Sequence, residues 1–183
     1  MKKVHLLLVA AMFFAVACDD DDDDDNGNMV SQVDQTFVTN AADGGMFEVK
    51  AGELAVSKGD TTKLGSMHGD TLSVKAYGRM MIMDHTKVNE ELMSLATRKG
   101  AAVPKTLSAA KQQKIDSLSA ANGAAFSRLY AKMMVASHME TIKVFQTETS
   151  GGNDTEIKTW AGSKVPALQH HLEMAEALQD SIQ

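Results

Sequence analysis

The chain has a single cysteine, Cys18, in 183 residues, so no disulfide can close within it. Prolines number two and aromatic residues make up 5%. No stretch alternates long enough to read as a strand, no fixed repeat appears, and no apolar run approaches the roughly 20 residues of a bilayer-spanning helix. A Gly-x-Ser-x-Gly elbow is missing, which leaves nucleophilic hydrolase chemistry unsupported. Without strands there is also no Gly-x-Gly-x-x-Gly phosphate cradle of the kind that follows one. The remainder is rich in Ala, Met, Leu, Lys and Glu, a helical composition.

The first 17 residues have the layout of an export signal: Lys2 and Lys3, then an apolar run from Val4 to Val16 interrupted by His5. The run ends in Ala15-Val16-Ala17-Cys18, small residues directly before a cysteine, and this stretch resembles a bacterial lipobox. The resemblance implies cleavage before Cys18 and acyl chains on that residue, which anchor the chain to a membrane. Residues 1–17 are therefore expected to be a signal peptide, 18–28 an acidic tether and 29–183 one folded domain.

Loss of Lys2 and Lys3 leaves 16 basic against 24 acidic side chains, and seven of those acids are the run Asp19 to Asp25. With the run set aside, the domain is almost neutral. It lacks the basic face that nucleic acid requires, so no nucleic-acid partner is expected. The Asp run repels itself and stays extended, holding the domain off an anionic lipid surface. It also resembles the surface-export signals of Bacteroidetes lipoproteins, implying the bacterial envelope, an outer-membrane anchor and exposure at the cell surface.

Apolar residues recur at spacings of three and four in four long segments. The first runs from about Val30 to Ser57 with Phe37, Ala41, Gly44, Glu48, Ala51 and Ala55 on its seam. Gly59 to Gly69 reads as a loop. The second, about Thr71 to Lys99, carries Met81, His85, Val88, Leu92 and Leu95, and Gly100 closes it. Ser108 opens a short helix ending near Asn122-Gly123. The third long helix, Ala124 to Thr149, turns Phe126, Tyr130, Met134, His138, Ile142 and Phe145 inward. Asn153 or Asp154 caps the fourth, with Ile157, Trp160, Ala161, Leu168, His171, Ala175, Leu178 and Ile182, and Pro166 is expected to kink it rather than stop it. The predicted fold is all-α: a four-helix antiparallel bundle with one additional short helix.

Three motifs occur in order: Phe37-Val38-Thr39-Asn40-Ala41-Ala42-Asp43-Gly44-Gly45-Met46, Asp84-His85-Thr86-Lys87-Val88-Asn89-Glu90-Glu91-Leu92, and His170-His171-Leu172-Glu173-Met174-Ala175. Together they resemble the domain-of-unknown-function 4142 family, across about Thr36 to Gln179. The resemblance implies a ferritin-like bundle and an outer-membrane location. It supplies no catalytic mechanism. The chain departs from the family pattern between Lys58 and Leu72, where Gly-rich residues lengthen the first connection.

Each long helix sets one ionisable group on its apolar seam: Glu48, His85, His138 and His171. A bundle core is where carboxylates and imidazoles hold metal, so a mononuclear zinc or iron site from these four is one reading. The di-iron pattern needs Glu-x-x-His on two helices, and Ile82, Val135 and Leu168 stand three before the histidines, so that pattern is absent. Met81 and Met134 stand four before His85 and His138, and thioether with imidazole suits copper. The bland alternative is that buried His and Glu hydrogen-bond one another and set helix register. The functional expectation is a non-enzymatic envelope protein with an interaction or structural role; the alternative is a metal-binding or metal-storage bundle.

Overall fold

In a computed structural model of the chain, residues 30–182 are described apart from 63 and 68; the expected signal peptide, Cys18 and the tether lie outside them. Four long helices and one short helix account for nearly all of this span: α1 (Gln32–Lys58), α2 (Val74–Lys99), α3 (Ala109–Ala120), α4 (Gly123–Gly151) and α5 (Thr155–Ser181). The expected all-α bundle with an extra short helix is the observed fold.

The helix ends follow side-chain chemistry. Ser31, Ser73 and Ser108 each accept a backbone N–H in the first turn of α1, α2 and α3. Asp154, one of the two expected caps, accepts from Glu156 and Ile157 at the start of α5. Gly100 closes α2 with φ 72 and ψ 17, a left-handed conformation that glycine adopts without Cβ strain. Helix α5 runs on through Pro166, as its periodicity predicts.

The segment expected to be a plain loop after α1 folds further than that. It forms a hairpin of β1 (Gly65–Met67) and β2 (Asp70–Leu72), with Gly65 opposite Leu72 and Met67 opposite Asp70. Strands of three residues are too short for alternation to betray them in sequence. This hairpin occupies part of the Gly-rich stretch between Lys58 and Leu72.

Every adjacent pair of long helices runs antiparallel. Helices α1 and α2 form one hairpin, α4 and α5 the other, and α1 lies against α4. The connection from Gly100 to Asn122 runs the length of α1: Gln35 bonds Ala102, Asp43 bonds Ser108, and Lys58 donates to the carbonyls of Ser119 and Ala121. This long crossover places α2 and α4 on a diagonal, running in the same direction, as in ferritin-like bundles. Helices α1 and α2 approach closely at Gly52 and Gly78, where a Cβ on Gly78 would lie 2.9 Å from the Gly52 carbonyl oxygen.

The core falls into two apolar clusters. One holds Phe47, Tyr77, Met81, Phe126, Tyr130, Met134 and Leu178; the other holds Phe37, Leu92, Leu95, Phe145, Ile157 and Leu168. Along α2, α4 and α5 the chain crosses from one cluster to the other at His85, His138 and His171, and along α1 it does so near Glu48. The four ionisable seam residues therefore form a polar layer at mid-height, with residue exposures of 2%, 0%, 5% and 0% in that order.

Candidate metal centre

Spacing on each helix brings these side chains to the axis. Tyr130, Met134 and His138 recur every four residues on α4, so the imidazole follows the apolar stripe inward. The same holds for Met81 and His85 on α2, and for Leu168, His171 and Ala175 on α5.

Each imidazole has one nitrogen engaged. His138 Nδ1 lies 2.9 Å from the Met134 carbonyl oxygen, and since a carbonyl can only accept, Nδ1 carries the proton. His171 Nε2 donates to Asp84 Oδ2 at 3.0 Å. His85 Nδ1 lies 3.0 Å from Glu48 Oε2. Glu48 is held in turn by the Ser137 hydroxyl, which donates to Oε1 at 2.9 Å; the same oxygen is 3.8 Å from His138 Nδ1.

The second nitrogen of each ring behaves differently. His85 Nε2, His138 Nε2 and His171 Nδ1 are buried and have no hydrogen-bond partner. One nitrogen from each of the three rings lies within 4.8 Å of the others, and the ring centroids are 5.3 to 5.5 Å apart. A buried polar atom left without a partner costs roughly 1–3 kcal/mol, so three together need an explanation.

Electrostatics sharpen the picture. Burial opposes charge on Glu48, but His85 and His138, with the bonds from His85 and Ser137, outweigh it and hold the carboxyl well below its usual range. Burial likewise opposes the His85 cation, and the Glu48 charge and contact reverse the balance, raising that imidazole. On His138 burial wins: together with electrostatic opposition from His85 and His171, it pushes the imidazole down to about 4 despite Glu48. The His138 ring is thus neutral at pH 7, with a lone pair on Nε2. The Asp84 carboxyl is lowered by the bond from His171.

Imidazoles oriented by carboxylates and a main-chain carbonyl are the usual outer shell of a histidine metal site, because that second bond fixes tautomer and ring angle. A tetrahedral zinc with bonds of about 2.0–2.1 Å spaces its nitrogens about 3.3 Å apart, so each ring has to close inward by less than about 1 Å. The cluster is therefore one that could hold a metal ion.

The structure brings together all four core residues singled out by sequence. Both oxygens of Glu48 face neighbours within the layer, so the group that could hold an ion is the three imidazoles, with Glu48 against one of them. Met81 and Met134 are fully buried in the apolar cluster one turn away. Cys18 lies outside the described residues. Sequence reading did not find Asp84, Ser137 or the Met134 carbonyl. Asp84 and Ser137 adjoin a singled-out histidine, but a neighbour on a helix points about 100° away, so its partner depends on which helix stands there.

These features define a ferritin-like four-helix bundle with a buried three-imidazole cluster. The chain belongs to the family described as domain of unknown function (DUF4142), which matches residues 21–178. No curated protein and no solved structure gives a match.

Proposed function

We propose that the chain is a non-enzymatic lipoprotein of the bacterial envelope whose bundle holds a divalent transition metal between His85, His138 and His171. The observation that carries this reading is the set of three buried imidazole nitrogens, one per helix, that lack any protein partner while their sister nitrogens are held. Neutral imidazole suits zinc first, with iron and copper as the competing ions. Glu48 and Asp84 each stand one imidazole away from the ion, and their two negative charges offset its two positive ones. With ligands on α2, α4 and α5, the metal ties three helices at mid-height, which joins the structural role expected from the sequence to the metal-binding alternative. Rings exposed by 5% or less leave little room for an organic substrate, hence the non-enzymatic reading. The envelope part rests on the charged and apolar leader, the lipobox-like Ala15-Val16-Ala17-Cys18 and the Asp19 to Asp25 run.

The test is thermal melting of the purified full-length chain in mild detergent, titrated separately with Zn2+, Fe2+ and Cu2+. At 100 times the dissociation constant the bound form gains about 2.7 kcal/mol. For a domain of this size that is a melting-temperature rise of about 5–10 °C. The gain is expected to vanish when His85, His138 and His171 are all replaced by Ala. No rise with any ion, or an equal rise in the triple variant, overturns the metal reading.

A further inference from the structure

The trio is closed on nearly every side, which raises the question of how an ion reaches it. His85 and His138 are 2% and 0% exposed. His171 differs in being bonded to a residue at the surface, since the Asp84 side chain is 38% exposed. Asp84 lies in the wall of a hollow of about 360 Å³ between α2 and α5, together with Ala76, Tyr77, Arg79, Met83 and His170. Tyr77 forms the inner wall: its hydroxyl donates to the His171 carbonyl at 2.9 Å, and its ring centroid is 6.4 Å from that of His138. Hollows also lie at the α1–α4 face, near Trp160, and at the Lys58 end. None of these is walled by a residue that bonds a histidine of the trio.

We infer that the α2–α5 hollow is the route by which a hydrated divalent cation passes to and from the core, with the Asp84 carboxylate as its first protein ligand and His171 as the ring that turns to hand it inward. The inference rests on the proposed metal site and goes beyond it, because it assigns a path. Chemically, an exposed carboxylate replaces water around a hard or borderline divalent ion more readily than an imidazole buried behind it. A turn of the His171 ring about its Cβ–Cγ bond carries a nitrogen from the Asp84 side to the interior. Arg79, exposed at the same hollow, sets a positive charge beside the route and slows a cation that uses it.

Stopped-flow mixing of the full-length chain with Co2+ tests this, read by the visible absorbance of a nitrogen-ligated tetrahedral ion. Ala76→Trp fills the hollow without touching a ligand. It is expected to slow association and dissociation alike, each by tenfold or more, with the final absorbance retained. Arg79→Gln is expected to quicken association about threefold at low salt, and the gain should fade at 0.5 M salt as charges are screened. A folded Ala76→Trp chain with wild-type rates overturns the route. If Ala76→Trp loses its helical circular dichroism, Arg79→Gln decides alone, and an unchanged association rate there overturns the route. Absence of any Co2+ absorbance in the wild-type chain strikes the metal site itself, a different result from a bound ion with unaltered rates.

Discussion

Glu48 and His85 meet across the α1–α2 contact at 3.0 Å, with side chains 0% and 3% exposed. A carboxylate this deep persists because an imidazole and a hydroxyl face it. Removing one partner should therefore be costly: Glu48→Ala is expected to lose about 3–5 kcal/mol. Glu48→Gln, which keeps the shape and the Ser137 bond, should lose about 1–3 kcal/mol. Metal affinity should fall 10–100-fold in Glu48→Gln, since His85 loses the anion that orients it. Urea unfolding and zinc titration of both variants check this. Equal affinity in Glu48→Gln and wild type would show that Glu48 does not orient a ligand.

The whole polar layer can be replaced at once. In a chain carrying Glu48→Met, His85→Leu, His138→Leu and His171→Leu, the two apolar clusters would join into one continuous core. Replacing a complete buried polar set with apolar residues is often neutral or stabilising by 1–4 kcal/mol. The metal-free variant is expected to melt at or above the wild-type temperature and to show no response to zinc. Such a result would mean the layer is kept for a ligand. A variant that melts broadly or self-associates would favour the other reading, in which buried polar groups specify helix register.

Much of this arrangement is legible in the amino-acid sequence. The four ionisable residues could be placed on the inner seams because each sits in an unbroken three-four spacing, as with Phe126, Tyr130, Met134 and His138. Periodicity says which face turns inward, not what stands opposite. Hence His171 was legible as a core residue, while its partner Asp84 was not. The hairpin at Gly65–Leu72 escaped for a related reason, since three residues a side carry too little alternation. Nor could spacing reveal the crossover, because that depends on Lys58 and Gln35 fastening the Gly100 to Asn122 connection along α1.

Anchoring is testable apart from the bundle. If Cys18 carries acyl chains, cells fed labelled palmitate should incorporate label into the wild-type chain and not into Cys18→Ser. The variant should also leave the membrane fraction. Retained label in Cys18→Ser would remove the lipoprotein reading and leave the fold untouched.

At the far end of the bundle, Asp34 and Glu148 are 1% and 2% exposed and interact with each other. Asp34 accepts the backbone N–H groups of Asn153 and Asp154 at 2.8 and 3.1 Å and the Ser31 hydroxyl at 2.7 Å, tying the start of α1 to the α4–α5 turn. Burial works to raise Asp34, yet the bonds from Ser31, Asn153 and Glu148 outweigh it and keep it low. Glu148 is pushed up to about 7, first by burial and then by the bond and charge of Asp34. Its folded value lies above its ordinary one near 4.5, so the folded chain holds the extra proton. The resulting stability is present in full below about pH 4.5 and is lost as pH rises through about 7. Glu148→Gln places a permanent donor beside Asp34, so it should match the wild type near pH 5 and exceed it at pH 8, by a few degrees in melting temperature. Urea midpoints at pH 5, 6, 7 and 8 make the comparison. Parallel profiles for the two chains would mean that Glu148 ionises normally and that Asp34 holds the turn unaided.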